Sequence, residues 1–313
     1  MTMKTPLVAL VAGLLFLPAA HAQTGVCGDT DPRAIDWLKK MSRSAHASAY
    51  HGVVNFQRGD ELEVMQVSHV ADDSGTTETF TRLTGQGAQV LREQHAAECV
   101  HPGQQLLEMG NDLASGECGI ARHYRFELGQ GERIANRESV RLNVMPRDVY
   151  RYGYILQLDR ETGLLLQATT MGRGNTKLER FAYADLTYGP APQPRENVSV
   201  VHQAEHPSQD LQALPAVTFD WTVAWLPPGF TATQPVSPNN GQRSFTDGLA
   251  VFSVFMEPLD VAMTPGEGVV RWGSTTSYTR GMRAGEVPVL VTIIGEVPVN
   301  TARMVTDSIK RAN

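Results

Sequence analysis

The stretch YHGVVNFQRGDEL (residues 50–62) decides the fold of the first half of the chain. Tyr50, Gly52, Val54 and Phe56 alternate with more polar positions, which is the period of two expected of a β-strand with one buried face. Arg58-Gly59-Asp60 then has the composition of a tight turn, and residues 62–69 resume the alternation. This stretch therefore predicts an antiparallel hairpin.

The same periodicity continues as far as Tyr188. Further strands are predicted at 76–83, 88–94, 122–128, 139–145, 150–159, 164–171 and 176–188, separated by turns rich in Gly or Asp. Antiparallel strands that follow one another in sequence order predict a curved meander, either a sandwich or an open barrel. An amphipathic helix over 31–47 precedes them, with Asp31 at the N-cap and Pro32 at the first helical position.

A proline-rich boundary at 190–216 divides the chain. Such a segment is typical of a semi-extended linker, which should hold two domains near each other without fusing them. The block at 217–313 predicts a small α+β domain. Its strand at 249–256 is apolar on both faces, as a central strand is. Asn300 can cap a last helix that carries Ala302, Val305 and Ile309.

The first 22 residues have the features of an export signal. Lys4 supplies a positive start, residues 7–17 form an apolar core too short to span a bilayer, and Ala20-His21-Ala22 is a small-x-small cleavage site. Thr24-Gly25-Val26 before Cys27 is not a lipoprotein signal. The mature chain is expected to start at Gln23 and to work outside the cytoplasm, with an N-terminal domain over 23–189.

Net charge and cysteine content further limit the kinds of partner and bond that the chain is expected to form. The chain of 313 residues has a net charge of −6, so it is a poor candidate for binding nucleic acid, although a basic face within 122–195 stays open. In an oxidising compartment Cys99 and Cys118 are expected to form a disulfide, which would stabilise the fold by about 3 kcal/mol. Cys27 is then left free or joins another molecule.

The sequence contains no recognisable catalytic set. It lacks a Gly-x-Ser-x-Gly elbow, a His-Glu-x-x-His motif and a phosphate-binding loop, and Asp159 and Glu161 fall in a hairpin turn. His95 and Cys99 lie close enough for zinc, but the remaining candidates (His101, Cys118 and His123) are spaced unlike ordinary ligands. The sequence therefore predicts neither an enzyme nor a metal site, and it requires no cofactor.

Tyr150, Tyr152 and Tyr154 would share one face of a predicted strand. Aromatic residues in this pattern usually pack in a core. The alternative is an aromatic-lined groove under the N-terminal helix, and lipid would suit such a groove.

Six segments together resemble the RseB/MucB family of periplasmic negative regulators of the envelope-stress sigma factor. They are DWL (36–38), MPRDVYRYGY (145–154), LDRETGL (158–164), WLPPGF (225–230), DGLAVFSVFMEP (247–258) and GEVP (295–298). They occur in the family's order along nearly the whole mature chain.

The resemblance implies a mainly β fold. Its N-terminal domain would be an unclosed antiparallel barrel with helices inside, like the lipoprotein carriers LolA and LolB, and a small α+β domain would follow. It also implies a periplasmic protein that binds the periplasmic part of a membrane anti-sigma factor (RseA/MucA type), shields it from the site-one protease, and is released by lipid or lipopolysaccharide.

Candidate residues follow from this reading together with the aromatic pattern. The candidates for lipid binding are Trp37, Phe56, Tyr150, Tyr152 and Tyr154. Trp225 and Phe230, beside Pro227 and Pro228, are candidates for partner binding, although both rings could instead fill the small domain's core. A periplasmic lipid or lipoprotein carrier is the alternative function, and a homo-oligomer stays possible.

Overall fold

The computed structural model describes residues 30–47, 49–72, 75–84, 90–95, 119–190, 202–204, 220–233, 241–259, 266–284 and 287–311. Every structural statement below concerns these residues. The predicted export signal and all three cysteines lie outside them, so the Cys99–Cys118 disulfide stays a prediction.

Helix α1 (Pro32–Ala47) forms where the sequence predicts it. Asp31 caps it, because its Oδ1 accepts the backbone N–H of Arg33 at 3.0 Å. Ala34, Leu38 and Met41 are at most 1% exposed and face the sheet, as expected of one apolar stripe at helical spacing.

Eleven strands of the N-terminal part form one large sheet. They are β1 (Tyr50–Arg58), β2 (Glu61–Asp72), β3 (Gly75–Arg82), β4 (Val90–His95), β5 (Tyr124–Gly129), β6 (Arg133–Ile134), β7 (Arg137–Pro146), β8 (Gly153–Asp159), β9 (Leu165–Met171), β10 (Lys177–Tyr188) and β11 (His202–Ala204). Their order is β11-β4-β3-β2-β1-β10-β9-β8-β7-β5, with β6 beside β7. Among the described strands, β11 and β5 end this order and do not pair with each other, so the prediction of an unclosed, mainly antiparallel β fold is confirmed.

The strand order differs from the single meander that the sequence predicts. β1 pairs with both β2 and β10, so the first strand lies in the middle of the sheet, and the consecutive strands β4 and β5 lie towards opposite edges. Residues 96–123 separate these two strands in the chain, and a connection of that length imposes no hairpin pairing. In addition, β11 falls inside the predicted linker and pairs in parallel with β4.

Two apolar clusters fill the N-terminal part. Helix α1 contributes to the first, where Leu38 and Met41 pack with Leu142, Leu156 and Tyr124. The second is built mainly from the sheet and contains no residue of α1. Half-buried side chains border this second cluster, namely Met65, Phe80, Ala135, Phe181 and Tyr188.

The C-terminal part has a six-stranded sheet, a two-stranded sheet and one helix among the described residues. Its elements are β12 (Trp221–Val223), β13 (Thr231–Ala232), β14 (Gln242–Thr246), β15 (Val251–Pro258), β16 (Glu267–Trp272), β17 (Thr275–Ala284), β18 (Val287–Gly295), α2 (Val299–Asp307) and β19 (Ile309–Arg311). The larger sheet has the order β13-β14-β15-β18-β17-β16, and β12 pairs with β19. β15 lies inside the sheet, as its apolar sequence predicts.

The last helix is shorter than the sequence predicts and starts before Asn300. It begins at Val299 and ends at Asp307, while Ile309 opens β19 and pairs with Val223. Ser308 explains the early end, because its carbonyl accepts the backbone N–H of Ala224 at 3.1 Å and its hydroxyl bonds to the backbone of Trp225. Across the described residues, no helix combines the length and apolar character that a membrane crossing requires.

Candidate functional site at the junction

The two parts of the chain meet at a contact surface called here the junction. It is centred on Arg151 of the N-terminal part and Asp247 of the C-terminal part. Neither side chain is accessible to solvent, and Arg151 Nη1 donates to Asp247 Oδ2 at 2.5 Å. The linker was expected to keep two domains close without fusing them, but the structure joins them through a buried ion pair.

Arg151 is positioned by the turn that precedes β8. Asp148 Oδ1 accepts the backbone N–H of Tyr150 at 3.0 Å, which bends the chain at this point. Both carboxylate oxygens of Asp148 also accept from Arg151, at 3.0 and 2.8 Å. Because the turn occupies residues 147–151, β8 starts only at Gly153. The three tyrosines therefore do not form a stripe on one strand, which corrects the predicted strand at 150–159.

Asp247 is equally well supported from its own side. Its Oδ1 accepts the backbone N–H groups of Leu249 and Ala250 at 2.9 and 2.8 Å. Its Oδ2 also accepts the hydroxyl of Tyr124 at 2.9 Å. Removing the charged partner of a buried carboxylate is strongly destabilising, so these contacts depend on one another. The turn at Asp247-Gly248 therefore belongs to the junction as much as to the C-terminal sheet.

The surroundings of the pair are apolar. The Arg151 guanidinium carbon lies 5.5 Å from the Tyr124 ring centre and 5.3 Å from that of Phe230. Burial lowers the pKa of Arg151, but its hydrogen bonds to Asp148 and the charge of Asp247 outweigh this, so that the pKa is raised overall. Burial also raises the pKa of Tyr124 well above its usual range. With both pKa values raised, Arg151 stays charged and Tyr124 stays protonated near neutral pH.

The WLPPGF turn fits closely over this region. Arg151 Nη2 donates to the carbonyl of Pro228 at 2.6 Å. Gly229 follows with φ +88°, and a Cβ on it would lie 2.1 Å from His123 Nε2. Only glycine combines that backbone conformation with so close an approach. Burial, then the charge of Arg151, lowers the pKa of His123.

Tyr150 and Tyr152 extend the junction to one side. The Tyr150 ring meets Trp225 edge to face at 5.3 Å, and its carbonyl accepts the hydroxyl of Thr301 at 2.9 Å. The hydroxyl of Tyr152 donates to the carbonyl of Val297 at 3.1 Å. These contacts attach the turn before β8 to three separate segments of the C-terminal part.

A second charged group lies near the β16–β17 turn. Glu179 Oε1 accepts from Arg58 Nε at 2.8 Å and from the backbone N–H of Ser274 at 3.1 Å. The Arg58 guanidinium carbon lies 3.7 Å from the ring centre of Trp272. Burial, followed by the negative charge of Glu179, raises the pKa of Glu296. The junction therefore contains a carboxyl group whose charge is unfavourable there.

The candidate lipid-binding residues do not meet in one lining. Tyr150 and Tyr152 belong to the junction, and Phe56 lies under the Arg58 guanidinium at 4.7 Å. Trp37 is half-buried, and Lys40 Nζ lies 4.7 Å from its ring centre. Tyr154 is 8% exposed, and its hydroxyl has no hydrogen-bond partner among the described residues. Their role in lipid binding stays a prediction.

The candidate partner-binding residues also lie at the junction. Phe230 is 5% exposed and packs on Phe252 at 5.2 Å between ring centres. Trp225 is half-buried and packs against both Tyr150 and the C-terminal core. Of the two, Trp225 has the more accessible side chain, and its contact with a partner stays a prediction.

Sequence reasoning did not single out Arg151, Asp247 or Glu179. A signal was nevertheless present, because four of the six segments that carry the family resemblance meet at the junction: 145–154, 225–230, 247–258 and 295–298. Each supplies at least one contact across it. Charged residues within otherwise aromatic segments could have pointed to a buried contact between them. In the described ranges, no group of His, Cys, Asp and Glu side chains could hold a metal ion.

Comparison with known proteins adds a family assignment to this geometry. The model of the MucB/RseB N-terminal domain matches residues 33–207, and that of the MucB/RseB C-terminal domain matches residues 215–310. The sigma factor AlgU regulatory protein MucB of Pseudomonas aeruginosa is 30% identical over 98% of this chain and 97% of its own length. The sigma-E factor regulatory protein RseB of Salmonella typhimurium is 26% identical over 79% of this chain and 89% of its own length.

A solved structure gives the same assignment. MucB in complex with MucA(peri) matches with a TM-score of 0.69 and 30% identity, covering 90% of this chain and 99% of that one. A crystal structure of MucB matches with a TM-score of 0.57 and 27% identity, covering 90% of this chain and 99% of that one. Both sequence relatives are described as regulatory proteins, so the prediction that the chain is not an enzyme is confirmed.

Proposed function

Because the chain belongs to the MucB/RseB family, we propose that it is a periplasmic regulator that binds the periplasmic part of a membrane anti-sigma factor. The observation that carries this proposal is the match to MucB solved with MucA(peri), which extends over 90% of the chain. Both parts of the chain therefore have counterparts in a relative that is bound to such a partner. The predicted export signal at 1–22 supports the periplasmic location.

The junction supports this proposal in physical terms. The buried Arg151–Asp247 pair holds the two parts in one orientation before any partner arrives. The two parts then lose less conformational freedom when one partner binds across both of them than two loosely tethered domains would lose. The two parts therefore present the partner with one binding surface that is already assembled.

Binding would also protect the partner from proteolysis. A site-one protease needs an accessible, extended substrate segment, and a segment held on this surface is not accessible. We expect the purified full-length chain to slow cleavage of the anti-sigma factor's periplasmic domain by that protease. An unchanged cleavage rate, with the domain shown to be bound, would remove shielding from the proposal.

The binding step can be tested separately. The tagged full-length chain should capture one membrane protein from a periplasm-and-membrane extract, and the isolated periplasmic domain of that protein should bind in calorimetry. The matched control is an unrelated exported protein with the same tag. Failure to capture any membrane protein with a sigma-factor-binding cytoplasmic part would contradict the proposal.

Lipid is proposed as the signal for release. The second apolar cluster receives no residue from α1, and the half-buried Met65, Phe80 and Phe181 border it. Acyl chains placed there would bury aromatic and aliphatic surface that is now partly exposed. Native mass spectrometry and displacement of a fluorescent fatty acid test for uptake, and added lipopolysaccharide should release the captured partner. No uptake at micromolar lipid would contradict this step.

A periplasmic lipid carrier is the second candidate, because the same cluster would serve it. A carrier should move lipid between vesicles without a partner, whereas a regulator should bind lipid and release a protein. The C-terminal part is held to the N-terminal part by buried contacts, and lipid transport alone does not require it. Its presence therefore favours the function of a regulator. Vesicle-to-vesicle transfer assays separate the two.

A further inference from the structure

Strand β16 is exposed in a way that is unusual for a folded domain. It forms one edge of the C-terminal sheet, and all six of its residues are exposed. Val269, Val270 and Trp272 are 45%, 68% and 51% exposed. Natural proteins usually protect such edges with charge, proline or a covering segment, because an apolar edge strand invites pairing with another chain.

The hydrogen bonds of the sheet show which backbone groups are available. The N–H of Gly281 donates to the carbonyl of Gly266 at 2.8 Å, just before β16 begins. Hydrogen-bonded and non-hydrogen-bonded pairs alternate along an antiparallel ladder. Residues 268, 270 and 272 therefore bond to β17, and Glu267, Val269 and Arg271 direct their N–H and C=O groups outward.

The end of β16 leads directly to the N-terminal part. Trp272 Nε1 donates to Glu61 Oε2 at 3.0 Å, and the guanidinium of Arg58 covers its ring. Leu62, next to Glu61, is 58% exposed. A chain paired with β16 could thus continue past Trp272 onto the β1–β2 hairpin and contact both parts of the protein.

The charge of Arg271 favours a particular kind of residue at the opposite position of a strand that pairs with β16. Arg271 lies on the same face of β16 as Val269 and is exposed. Its positive charge acts on Tyr152 at the junction, and no carboxylate of the described residues forms an ion pair with it. Glu267, four residues earlier on the same face, is already paired with Arg303. An acidic side chain across from Arg271 would form a favourable cross-strand pair.

We propose that β16 is the docking edge for an extended segment of the anti-sigma factor, which adds to the C-terminal sheet as a seventh strand. The segment has apolar side chains in alternation and an acidic residue opposite Arg271. This inference rests on the proposed function and gives it a location. Backbone hydrogen bonds supply affinity in this mode of binding, and alternate side chains supply specificity.

Three variants of the full-length chain test the edge. Val269→Pro removes an outward N–H but no bond to β17, and proline is tolerated at such edge positions. Val270→Lys places a charge on the exposed strand, and Arg271→Glu reverses the charge. Leu83→Lys is the matched control, since Leu83 is 52% exposed on the N-terminal part. Calorimetry with the partner's periplasmic domain should show Kd raised about tenfold by each of the three, and unchanged by the control.

Hydrogen exchange of the wild-type chain gives an independent readout that does not depend on any variant folding. The amides of Glu267, Val269 and Arg271 should become protected when the partner binds. Variants that bind like wild type, without protection at these amides, overturn the inference and leave the proposed function standing. Absence of any binding by the wild-type chain overturns both. A concentration-dependent dimer that Val270→Lys abolishes, with partner affinity unchanged, would assign the edge to a second copy instead.

Discussion

Arg151 and Asp247 are 96 residues apart in the chain, yet they form an ion pair in which neither side chain reaches solvent. A buried pair of this kind is a weak source of stability when intact, but removing one partner leaves an uncompensated charge. The orientation of the two parts therefore depends on both residues being present.

Replacing Arg151 with Met should lower the free energy of unfolding by about 3–5 kcal/mol, because Asp247 stays buried without its main partner. Urea unfolding followed by tryptophan fluorescence measures this. Arg160→Met is the control, since Arg160 is 63% exposed and its contact with Glu138 at 3.5 Å is a surface pair. Adding Asp247→Asn to Arg151→Met should cost less than the two single losses added together. Strict additivity would mean that the pair is not coupled.

Two glycines with positive φ make it possible to measure separately two costs of replacing glycine: the strain of the backbone and the clash of a Cβ with a close neighbour. Gly174 has φ +66°, and a Cβ on it would have no neighbouring atom within 4 Å, whereas a Cβ on Gly229 would meet His123. Gly174→Ala should cost about 1 kcal/mol from the left-handed backbone alone. Gly229→Ala should cost about 2 kcal/mol more, because the WLPPGF turn must move off the N-terminal part. Equal losses in thermal unfolding would contradict the packing at this site.

Glu296 should make the junction sensitive to pH. Burial and the charge of Glu179 raise the pKa of Glu296, so the folded protein keeps this proton at pH values where the unfolded chain has lost it. The folded state then binds more protons, and its stability falls as pH rises from the usual glutamate value through the raised pKa.

Glu296→Gln should therefore stabilise the protein near neutral pH and flatten this fall. The measurement is urea unfolding from pH 4 to pH 8. Glu138→Gln, at a side chain 68% exposed, should leave the slope unchanged. A steeper fall in the Gln variant would contradict the assigned environment.

Trp225 tests the predicted partner contact. If its accessible side contributes to binding, Trp225→Ala should weaken partner binding by at least about tenfold, as removal of an aromatic anchor does. Phe230→Leu, at a buried position, should lower stability and leave affinity nearly unchanged. Val149→Ala, at a residue 54% exposed beside Tyr150, is the neutral control. Equal affinities for all three would place the contact elsewhere.

Helix α1 and strand β1 were predictable from sequence because each has one buried face. The alternation at residues 50–56 and the capped stripe of α1 both express this directly. The pairing of the strands was harder to predict. Nothing in the sequence near β1 specifies that it pairs with β10, which follows it by more than a hundred residues. The early end of α2 depended on Ser308 bonding to Trp225, again a distant partner.

The junction was even less accessible to sequence reasoning. A period of two placed Tyr150, Tyr152 and Tyr154 on one strand, but the carboxylate of Asp148 bends the chain before β8 begins. Alternation describes which face a side chain takes only while the strand continues. The sequence around Arg151 predicts an ordinary exposed charge, because its partner Asp247 lies 96 residues away in the chain.

Strand β11 has a consequence for how far the two parts could ever separate. With His202–Ala204 paired to β4, 16 residues lie between Ala204 and Trp221, and a chain of that length limits the distance between these two residues to roughly 60 Å. Without this pairing, the limit would be set by the 32 residues between Tyr188 and Trp221, at roughly 115 Å. The three-residue strand β11 therefore about halves the distance to which the two parts could separate if the contacts at the junction were lost. Parts held within that shorter distance would meet again more readily.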